Sequence, residues 1–244
     1  MTSPALSFGA AAGLYDAIRP TYPAPALAWA LGERPLTVVD LGAGTGLLTR
    51  VLLDAGHTVI SVEPDAQMLA VCAERNPATD ARSGSAEQIP LPDHGADAVV
   101  CGQAYHWFTP ERALPEIRRV LRPGGVFAPV WNIRDEEVDW VAAYSQIVGS
   151  EGKGTHERWI YGDVAPWFTE PERAVFRHEV AMAPQRLVDL ARSRSYYLTA
   201  DDPEKARLET ELAGLAATHP ALAGRDTVDL PYLTCVFRMR PIDL

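Results

Sequence analysis

Apolar and polar residues form two kinds of pattern in the first half of the chain. Short runs rich in valine, isoleucine and leucine are typical of buried strands, and between them apolar positions recur at helical spacing. The predicted strands are residues 38–41, 58–62, 78–83, 96–101 and 125–132, and the predicted helices are residues 46–55, 65–76 and 111–121. This alternation predicts a mostly parallel sheet with helices on both faces.

The alternation ends after residue 132. The remaining predictions are helices at 138–148, 185–194 and 204–217, and strands at 175–182 and 228–239. Late strands without the alternation of strand and helix indicate an antiparallel edge of the sheet. We therefore predict an α/β, Rossmann-like fold: a seven-stranded, mostly parallel sheet with an antiparallel last strand, helices on both faces and a helical insertion after the fifth strand.

Composition narrows the class of partner. The 244 residues are 47% hydrophobic and carry a formal net charge of −10, which disfavours binding to a phosphate backbone. Arg118, Arg119 and Arg122 form one local basic group, but cations near a helix end are usually solvated and favoured by the helix dipole. We expect no nucleic-acid partner.

The cysteines and the N-terminal residues indicate the compartment. Cys72, Cys101 and Cys235 are odd in number and show no CxxC spacing, which fits buried small side chains in a reducing environment and no metal site. Residues 1–13 lack a basic region before their small residues, and no apolar run approaches the roughly 18 residues that span a bilayer. We predict a cytoplasmic protein without a membrane span.

The strongest local signal is a strand that breaks into alternating glycines. Val38-Val39-Asp40-Leu41 is followed by Gly42-Ala43-Gly44-Thr45-Gly46 and then by a helix-compatible run. A second strand ends in Glu63, where folds of this kind place a carboxylate against a ribose diol. The pattern predicts a site for an adenosine-containing cofactor.

Glycine spacing and charge discriminate between cofactors. A dinucleotide fingerprint requires a glycine at position 47, where this chain has Leu47. Asp40 precedes the turn, where a carboxylate would repel a pyrophosphate but would suit the ammonium and sulfonium groups of S-adenosylmethionine. The pattern therefore favours S-adenosylmethionine over NAD.

Four sequence blocks occur in order along the chain: Asp40-Leu41-Gly42-Ala43-Gly44-Thr45-Gly46, Glu63-Pro64, Gly84-Ser85-Ala86-Glu87-Gln88-Ile89-Pro90-Leu91-Pro92 and Leu121-Arg122-Pro123-Gly124-Gly125. In these blocks the chain resembles the class I S-adenosylmethionine-dependent methyltransferases, and among them the small-molecule enzymes similar to the ubiquinone/menaquinone biosynthesis and trans-aconitate methyltransferases. The resemblance is strong from Val38 to Asn132 and weaker afterwards. It implies one methyltransferase domain with an N-terminal cap (1–35), a cofactor-binding core (36–132), a substrate lid or insertion (133–174) and C-terminal strands and helices (175–244).

The resemblance also implies roles for the matching residues. Glu63 would accept hydrogen bonds from both ribose hydroxyls, Ser85 and Ala86 would meet the adenine edge, and Gln103 would lie near the methionine end. Met68 would pack beside the adenine or simply fill the core. The cofactor-binding residues so predicted are Tyr15, Arg19, Asp40, Gly42, Ala43, Gly44, Gly46, Glu63, Pro64, Met68, Ser85, Ala86, Glu87 and Gln103.

The residues that would bind the methyl acceptor are predicted from weaker sequence signals. Methyl transfer from a sulfonium is an in-line displacement, so a general base is needed only when the acceptor must lose a proton. His106 follows the fourth strand and is the candidate base. The alternative is a structural role, in which His106 forms a hydrogen bond to a loop. The predicted acceptor contacts are Tyr22, His106, Trp107, Trp131 and Trp159, an aromatic set that indicates an apolar or planar small molecule.

These observations leave three functions open. The leading hypothesis is transfer of the methyl group of S-adenosylmethionine to oxygen, nitrogen or carbon of a small organic acceptor, with release of S-adenosylhomocysteine. The second is a cofactor-binding protein of the same fold that acts as a non-methylating partner or catalyses another reaction. The third is an NAD-dependent oxidoreductase, which the GxGxG spacing disfavours. Both a monomer and a homodimer are compatible with the sequence.

Overall fold

The computed structural model describes residues 18–150, 160 and 164–242. Its seven strands form one sheet in the order β3-β2-β1-β4-β5-β7-β6. The strands are β1 (Thr37–Leu41), β2 (Thr58–Glu63), β3 (Asp80–Ser83), β4 (Ala96–Gly102), β5 (Leu121–Arg134), β6 (Glu172–Met182) and β7 (Val228–Arg238). In the described residues the helices are α1 (Ala24–Leu31), α2 (Leu47–Asp54), α3 (Ala66–Arg75), α4 (Pro110–Val120), α5 (Asp139–Val148), α6 (Leu187–Arg192), α7 (Ser195–Leu198) and α8 (Asp202–Thr218).

The parallel half of the sheet explains why its strands read as continuous apolar runs. β1 is hydrogen-bonded to β2 on one side and to β4 on the other, and both pairings are parallel. Its residues Val38 to Leu41 are fully buried, because helices cover both faces of a parallel sheet. The register places the ends of β1, β2 and β4 at one edge, with Leu41 opposite Val62.

The predicted fold class is confirmed, and three details differ. The last strand is antiparallel as predicted, but β7 lies between β5 and β6, so that β6 is the edge strand. β5 begins at Leu121, four residues before the predicted start, because Leu121 already pairs with Ala96 and the register then shifts before Val126 pairs with Ala98. The helix predicted at 185–194 is a 3-10 turn, Pro184–Arg186, followed by the shorter α6.

Two compact units can be distinguished among the described residues. The first, the sheet unit, contains residues 21–132, 160, 164–176 and 234–242. The second, the helical unit, contains residues 18–20, 133–150 and 177–233, and its core packs side chains of α5, α6 and α8 around the buried Tyr144. Arg134 is buried in this unit, where its guanidinium lies 5.0 Å from the centroid of the Tyr144 ring.

Two members of the basic group near the end of α4, Arg119 and Arg122, are engaged in ion pairs, and Arg118 donates to the Ile242 carbonyl at 3.1 Å. Arg119 contacts Glu116 at 2.8 Å and Asp93 at 2.9 Å, and Arg122 contacts Asp97 at 2.8 Å. These charges therefore serve local pairing. None of the helices described is long and apolar enough to cross a membrane.

Candidate functional site

The glycine turn lies where β1 ends, against the neighbouring strand. The amides of Gly42 and Ala43 both donate to the carbonyl of Val62, at 2.8 and 3.1 Å. Gly42 has a φ of 71°, and a Cβ at this position would lie 2.7 Å from the Cβ of Ala104, after β4. Only a glycine lets the chain pass between β2 and the residues that follow β4.

Gly44 and Glu63 form the centre of the site. The Gly44 amide donates to Oε2 of Glu63 at 2.9 Å, and the Asp65 amide donates to Oε1 at 3.0 Å. Gly44 has a φ of 57°, and a Cβ there would meet nothing within 4 Å. Two backbone donors therefore fix the Glu63 carboxylate beside an open space at the glycine turn.

Burial changes the proton affinity of Glu63. It raises the pKa of this carboxyl above its ordinary value, while the bonds from the Asp65 and Gly44 amides lower the pKa and the nearby Asp65 charge raises it. The effect of burial on the pKa outweighs that of the two bonds. Further hydrogen-bond donors at Glu63, such as ligand hydroxyls, would stabilise its ionised form.

Asp40 is the most strongly perturbed carboxyl at this edge. It is completely buried at the end of β1, and burial raises its pKa to about 7 against the opposing effect of bonds from Thr49. Oδ2 accepts from the Thr49 hydroxyl at 2.6 Å, whereas Oδ1 is buried without a hydrogen-bond partner among the described residues. A positive charge bound nearby would favour the ionised carboxylate.

These groups fit the cofactor that the sequence predicts. Glu63 offers the acceptor oxygens that a ribose diol requires, Gly44 leaves its surroundings open, and Asp40 supplies negative charge for an ammonium or a sulfonium. A dinucleotide pyrophosphate would instead meet two buried carboxyls at the same turn.

The turn after β3 has its own internal bonds. Ser85 and Gln88 form an antiparallel bridge, and Glu87 accepts from the Thr109 amide, the residue before α4, at 2.9 Å. Burial raises the pKa of Glu87, but hydrogen bonds, the strongest from the Thr109 amide, and the nearby Arg112 charge together outweigh it, so the pKa lies below its ordinary value. A surface cleft of about 540 Å³ adjoins this turn, lined by Ser83, Gly84, Ser85, Gln88, Ile89, Pro90, Glu116 and Arg119.

Three more predicted cofactor contacts lie close to this edge in sequence. Met68, in the first turn of α3, and Ala86 are both 4% exposed, so each packs in the protein interior. Pro64 is exposed after β2. Their contacts with a cofactor stay predictions.

Gln103 is held in a left-handed backbone conformation directly after β4. Its φ is 56°, its amide donates to the Val130 carbonyl at 2.9 Å, and its side-chain Nε2 donates to the Asn132 carbonyl at 2.7 Å. A non-glycine residue in this region is uncommon and costs conformational energy. The two bonds to β5 hold this strained residue at the edge that carries the glycine turn.

The predicted acceptor residues differ sharply in exposure. His106 and Trp107 are the exposed residues of a 3-10 turn, Tyr105–Trp107, whose first residue is buried. Their ring centroids are 4.8 Å apart, and Trp107 is 40% exposed. Trp131 is 3% exposed and packs edge-on against Tyr105 and Phe237. The contacts of these residues with an acceptor stay predictions.

The residues predicted from the N-terminal cap lie in different surroundings. Tyr22 is buried, and a Cβ at Gly102 would lie 2.5 Å from its hydroxyl, so the tyrosine reaches the end of β4. Arg19 belongs to the helical unit, where it donates to the Ser193 carbonyl at 2.9 Å. Tyr15 and Trp159 lie outside the described residues.

The sequence did not single out two structural features of the site. Asn132 donates to the Thr21 carbonyl at 3.0 Å and accepts from the Thr234 hydroxyl at 2.6 Å, so it ties the residues before α1 to β5 and β7. Beneath the glycine turn, the hydroxyls of Thr49, Ser61 and Thr79 are hydrogen-bonded in series. The only sequence signal for such a series is small polar residues within otherwise apolar elements.

Comparison with known proteins supports the same assignment. A family model described as a methyltransferase domain matches residues 39–128. An uncharacterised methyltransferase of Mycobacterium tuberculosis is 43% identical over 96% of this chain and 95% of its own length, and one of Schizosaccharomyces pombe is 34% identical over 91% of each.

The fold has solved counterparts as well. A structure assigned as a type II methyltransferase from Anaeromyxobacter dehalogenans superposes with a TM-score of 0.64 at 22% identity, covering 91% of this chain and 97% of that one. At this identity the likeness shows a shared fold. With the relatives that match over nearly their whole length, it shows that the chain belongs to the class I S-adenosylmethionine-dependent methyltransferases.

Proposed function

We propose that the protein transfers the methyl group of S-adenosylmethionine to oxygen, nitrogen or carbon of a small, apolar or planar organic acceptor. The observation that carries this proposal is the pairing of Glu63 with Gly44 at 2.9 Å beside open space, with the buried Asp40 at the same strand edge. S-adenosylhomocysteine is the product, and neither nucleic acid nor a metal takes part.

Each cofactor group has a partner in this proposal. The ribose hydroxyls donate to Glu63, whose geometry the Gly44 and Asp65 amides already fix. The ammonium and sulfonium charges interact with Asp40 through its field, because this carboxyl has no exposed surface. Gly44 allows the backbone to approach the methionine part closely.

The acceptor is positioned by the turn that follows β4. A bond forms between the acceptor atom and the methyl carbon while the bond from that carbon to sulfur breaks, and sulfur keeps the electron pair. Alignment of these atoms and exclusion of water supply most of the acceleration. Where the acceptor is a hydroxyl or an amine, the proton that it loses goes to His106.

The exposed side chains of that turn suggest the class of acceptor. Trp107 is one of two large apolar side chains exposed among the described residues, and His106 lies beside it. An exposed indole offers a face on which a planar or apolar molecule can stack. We therefore propose that Trp107 binds the acceptor and that Trp131 supports the wall behind it.

Methyl transfer can be tested directly with cofactor labelled in its methyl group. The purified protein, incubated with this cofactor and small-molecule extracts from cells, should yield a labelled organic product and S-adenosylhomocysteine in equal amounts. The control is the Glu63→Ala variant, which should yield far less of both at a low concentration of cofactor. If the wild-type protein binds the cofactor but labels nothing in any extract, it acts as a non-methylating protein of this fold instead.

A further inference from the structure

Three hydroxyl groups run in series from Asp40 into the sheet. The Thr49 hydroxyl donates to Asp40 Oδ2 at 2.6 Å, and its oxygen lies 2.8 Å from the Ser61 hydroxyl oxygen. The Ser61 and Thr79 hydroxyl oxygens are also 2.8 Å apart, and Thr79 donates to the Val59 carbonyl at 3.0 Å. Thr49 and Ser61 have no exposed surface. We call Thr49, Ser61 and Thr79 the hydroxyl row.

The number of hydrogens available to the contacts of the hydroxyl row depends on whether Asp40 is protonated. The hydroxyl row makes four contacts in series, from Asp40 to Thr49, Ser61, Thr79 and the Val59 carbonyl, and each hydroxyl supplies one hydrogen. The Cys72 thiol also lies 3.9 Å from the Thr49 hydroxyl and adds one contact and one hydrogen of its own. Among the oxygen atoms, with Asp40 ionised, three hydroxyl hydrogens serve four contacts, and one oxygen pair at about hydrogen-bond distance lacks a hydrogen. With Asp40 protonated, four hydrogens fill all four contacts, each donated in the direction of Val59.

The direction of donation therefore depends on the charge of Asp40. When Asp40 is ionised, Thr49 donates to Asp40 and Ser61 donates to Thr49, so this part of the row reverses. The contacts from Asp40 to Thr49 and from Thr49 to Ser61 are buried, whereas those of Thr79 are part-buried. A contact without its hydrogen is unfavourable, most of all where no water replaces the lost bond. In the ligand-free protein the bond from Thr49 lowers the pKa of Asp40 while burial raises it, and the contact that lacks a hydrogen offsets part of the effect of the Thr49 bond.

The other groups around Asp40 also disfavour its ionisation. The titratable groups that face it are Glu63 from β2, Cys72 from α3 and Cys101 from β4, all of which are neutral or negative. In the described part of the chain, no cation contributes to the pKa of Asp40. A positive charge must come from a ligand.

We infer that binding of the cofactor ionises Asp40, reverses the direction of donation between Asp40, Thr49 and Ser61, and releases one proton. Thr49 and Thr79 are positioning residues that set the pH at which this occurs. The inference rests on the proposed function. The balance is simple: the cofactor brings a protonated amine, Asp40 loses its carboxyl proton to solvent, and no covalent bond other than that O–H bond changes. Affinity for the cofactor should then fall as the pH falls below the neutral range.

The two ends of the row predict opposite effects. Thr49→Val removes the donor to ionised Asp40, so the pH midpoint of binding should rise by roughly 0.5 to 1 pH unit, the size of one net hydrogen bond. Thr79→Val leaves two hydrogens for two contacts when Asp40 is ionised, so the midpoint should fall by a similar amount. Thr49→Ser keeps the hydroxyl and should restore the wild-type midpoint.

The experiment is calorimetric titration with S-adenosylhomocysteine from pH 5.5 to 8.5, in buffers of different ionisation enthalpy. Wild type should release close to one proton per ligand at pH 6 and almost none at pH 8.5, and Asp40→Asn should release none at either. Carboxyl carbon NMR of the ligand-free variants checks the same shifts without ligand.

The outcomes separate the two proposals. If the ligand binds without pH-dependent proton release, or if both valine variants weaken binding equally at every pH, the hydroxyl row has only a structural role and the inference fails while the proposed function stands. If S-adenosylhomocysteine does not bind at any pH, the proposed function fails and the inference fails with it.

Discussion

The two sides of the candidate site within the sheet unit are built differently. On the side of β1 and β2, Gly42, Gly44 and Glu63 are held by backbone hydrogen bonds between 2.8 and 3.0 Å. On the side of β4, His106 and Trp107 are the exposed residues of a 3-10 turn. Under the proposed function, the first side is preorganised for one ligand, and the second leaves room for the acceptor to determine the fit.

The largest expected effect tests the rigid side. In Gly46→Ala, a Cβ would lie 2.2 Å from Asn76 Nδ2 and 2.7 Å from Cys72 Sγ, at a φ of 84°. Asn76 cannot move away freely, because its amide donates to the Cys72 and Gly46 carbonyls. We expect a loss of about 3 kcal/mol or more in the free energy of unfolding, by denaturant titration.

Gly56→Ala is the matched control for that substitution. Its φ is 83°, but a Cβ there would meet nothing within 4 Å, so only backbone strain remains. The expected cost is about 1 kcal/mol. Equal losses in the two variants would show that the contact with α3 does not constrain the turn.

The next effect tests the exposed side. His106→Ala should lower kcat by about 100-fold if the acceptor must lose a proton, since that is the scale of general-base catalysis. The fall should be accompanied by loss of the acidic limb of the pH profile of kcat, and the affinity for S-adenosylhomocysteine should stay unchanged. Undiminished turnover of the physiological acceptor would remove His106 from the reaction.

A smaller effect concerns the buried charge. Burial raises the pKa of Asp40 to about 7, above its value near 4 in an unfolded chain, so the folded state retains a proton that the unfolded state has lost between these pH values. Stability from this group is complete below pH 4 and is lost as the pH rises to about 7.

Asp40→Asn does not titrate and should avoid that loss. We expect the ligand-free variant to be more stable than wild type by at least about 1 kcal/mol at pH 8, with little difference at pH 4, while its affinity for the cofactor falls. The exposed Asp54→Asn, at the end of α2, is the control. A variant less stable than wild type at pH 8 would contradict the assignment of a destabilising buried charge.

The smallest effect should arise at Trp107. Trp107→Ala removes an exposed side chain, so the fold should be unaffected and the KM for the acceptor should rise about fivefold, the scale of one aromatic contact. Val175→Ala, the other exposed large apolar residue among those described, should leave KM unchanged. The same KM in both variants would place the acceptor elsewhere.

The same contrast explains what could be predicted from sequence. The β1 run and its glycine turn are local signals, because buried parallel strands are apolar and only glycine suits the left-handed positions. The bulged start of β5 and the place of β7 inside the sheet depend on pairing between distant residues. The hydroxyl row joins α2, β2 and the residues before β3, so no local pattern contains it.

The central claim is that Glu63 binds the ribose hydroxyls of the cofactor, and calorimetry can test it directly. Wild type and Glu63→Ala are titrated with S-adenosylhomocysteine and with its analogue that lacks both ribose hydroxyls. Because the substitution removes two hydrogen bonds to a carboxylate, it should weaken the binding of S-adenosylhomocysteine by about 100-fold and the binding of the analogue by far less. Equal losses for both ligands, or undiminished binding of S-adenosylhomocysteine by Glu63→Ala, would contradict the claim.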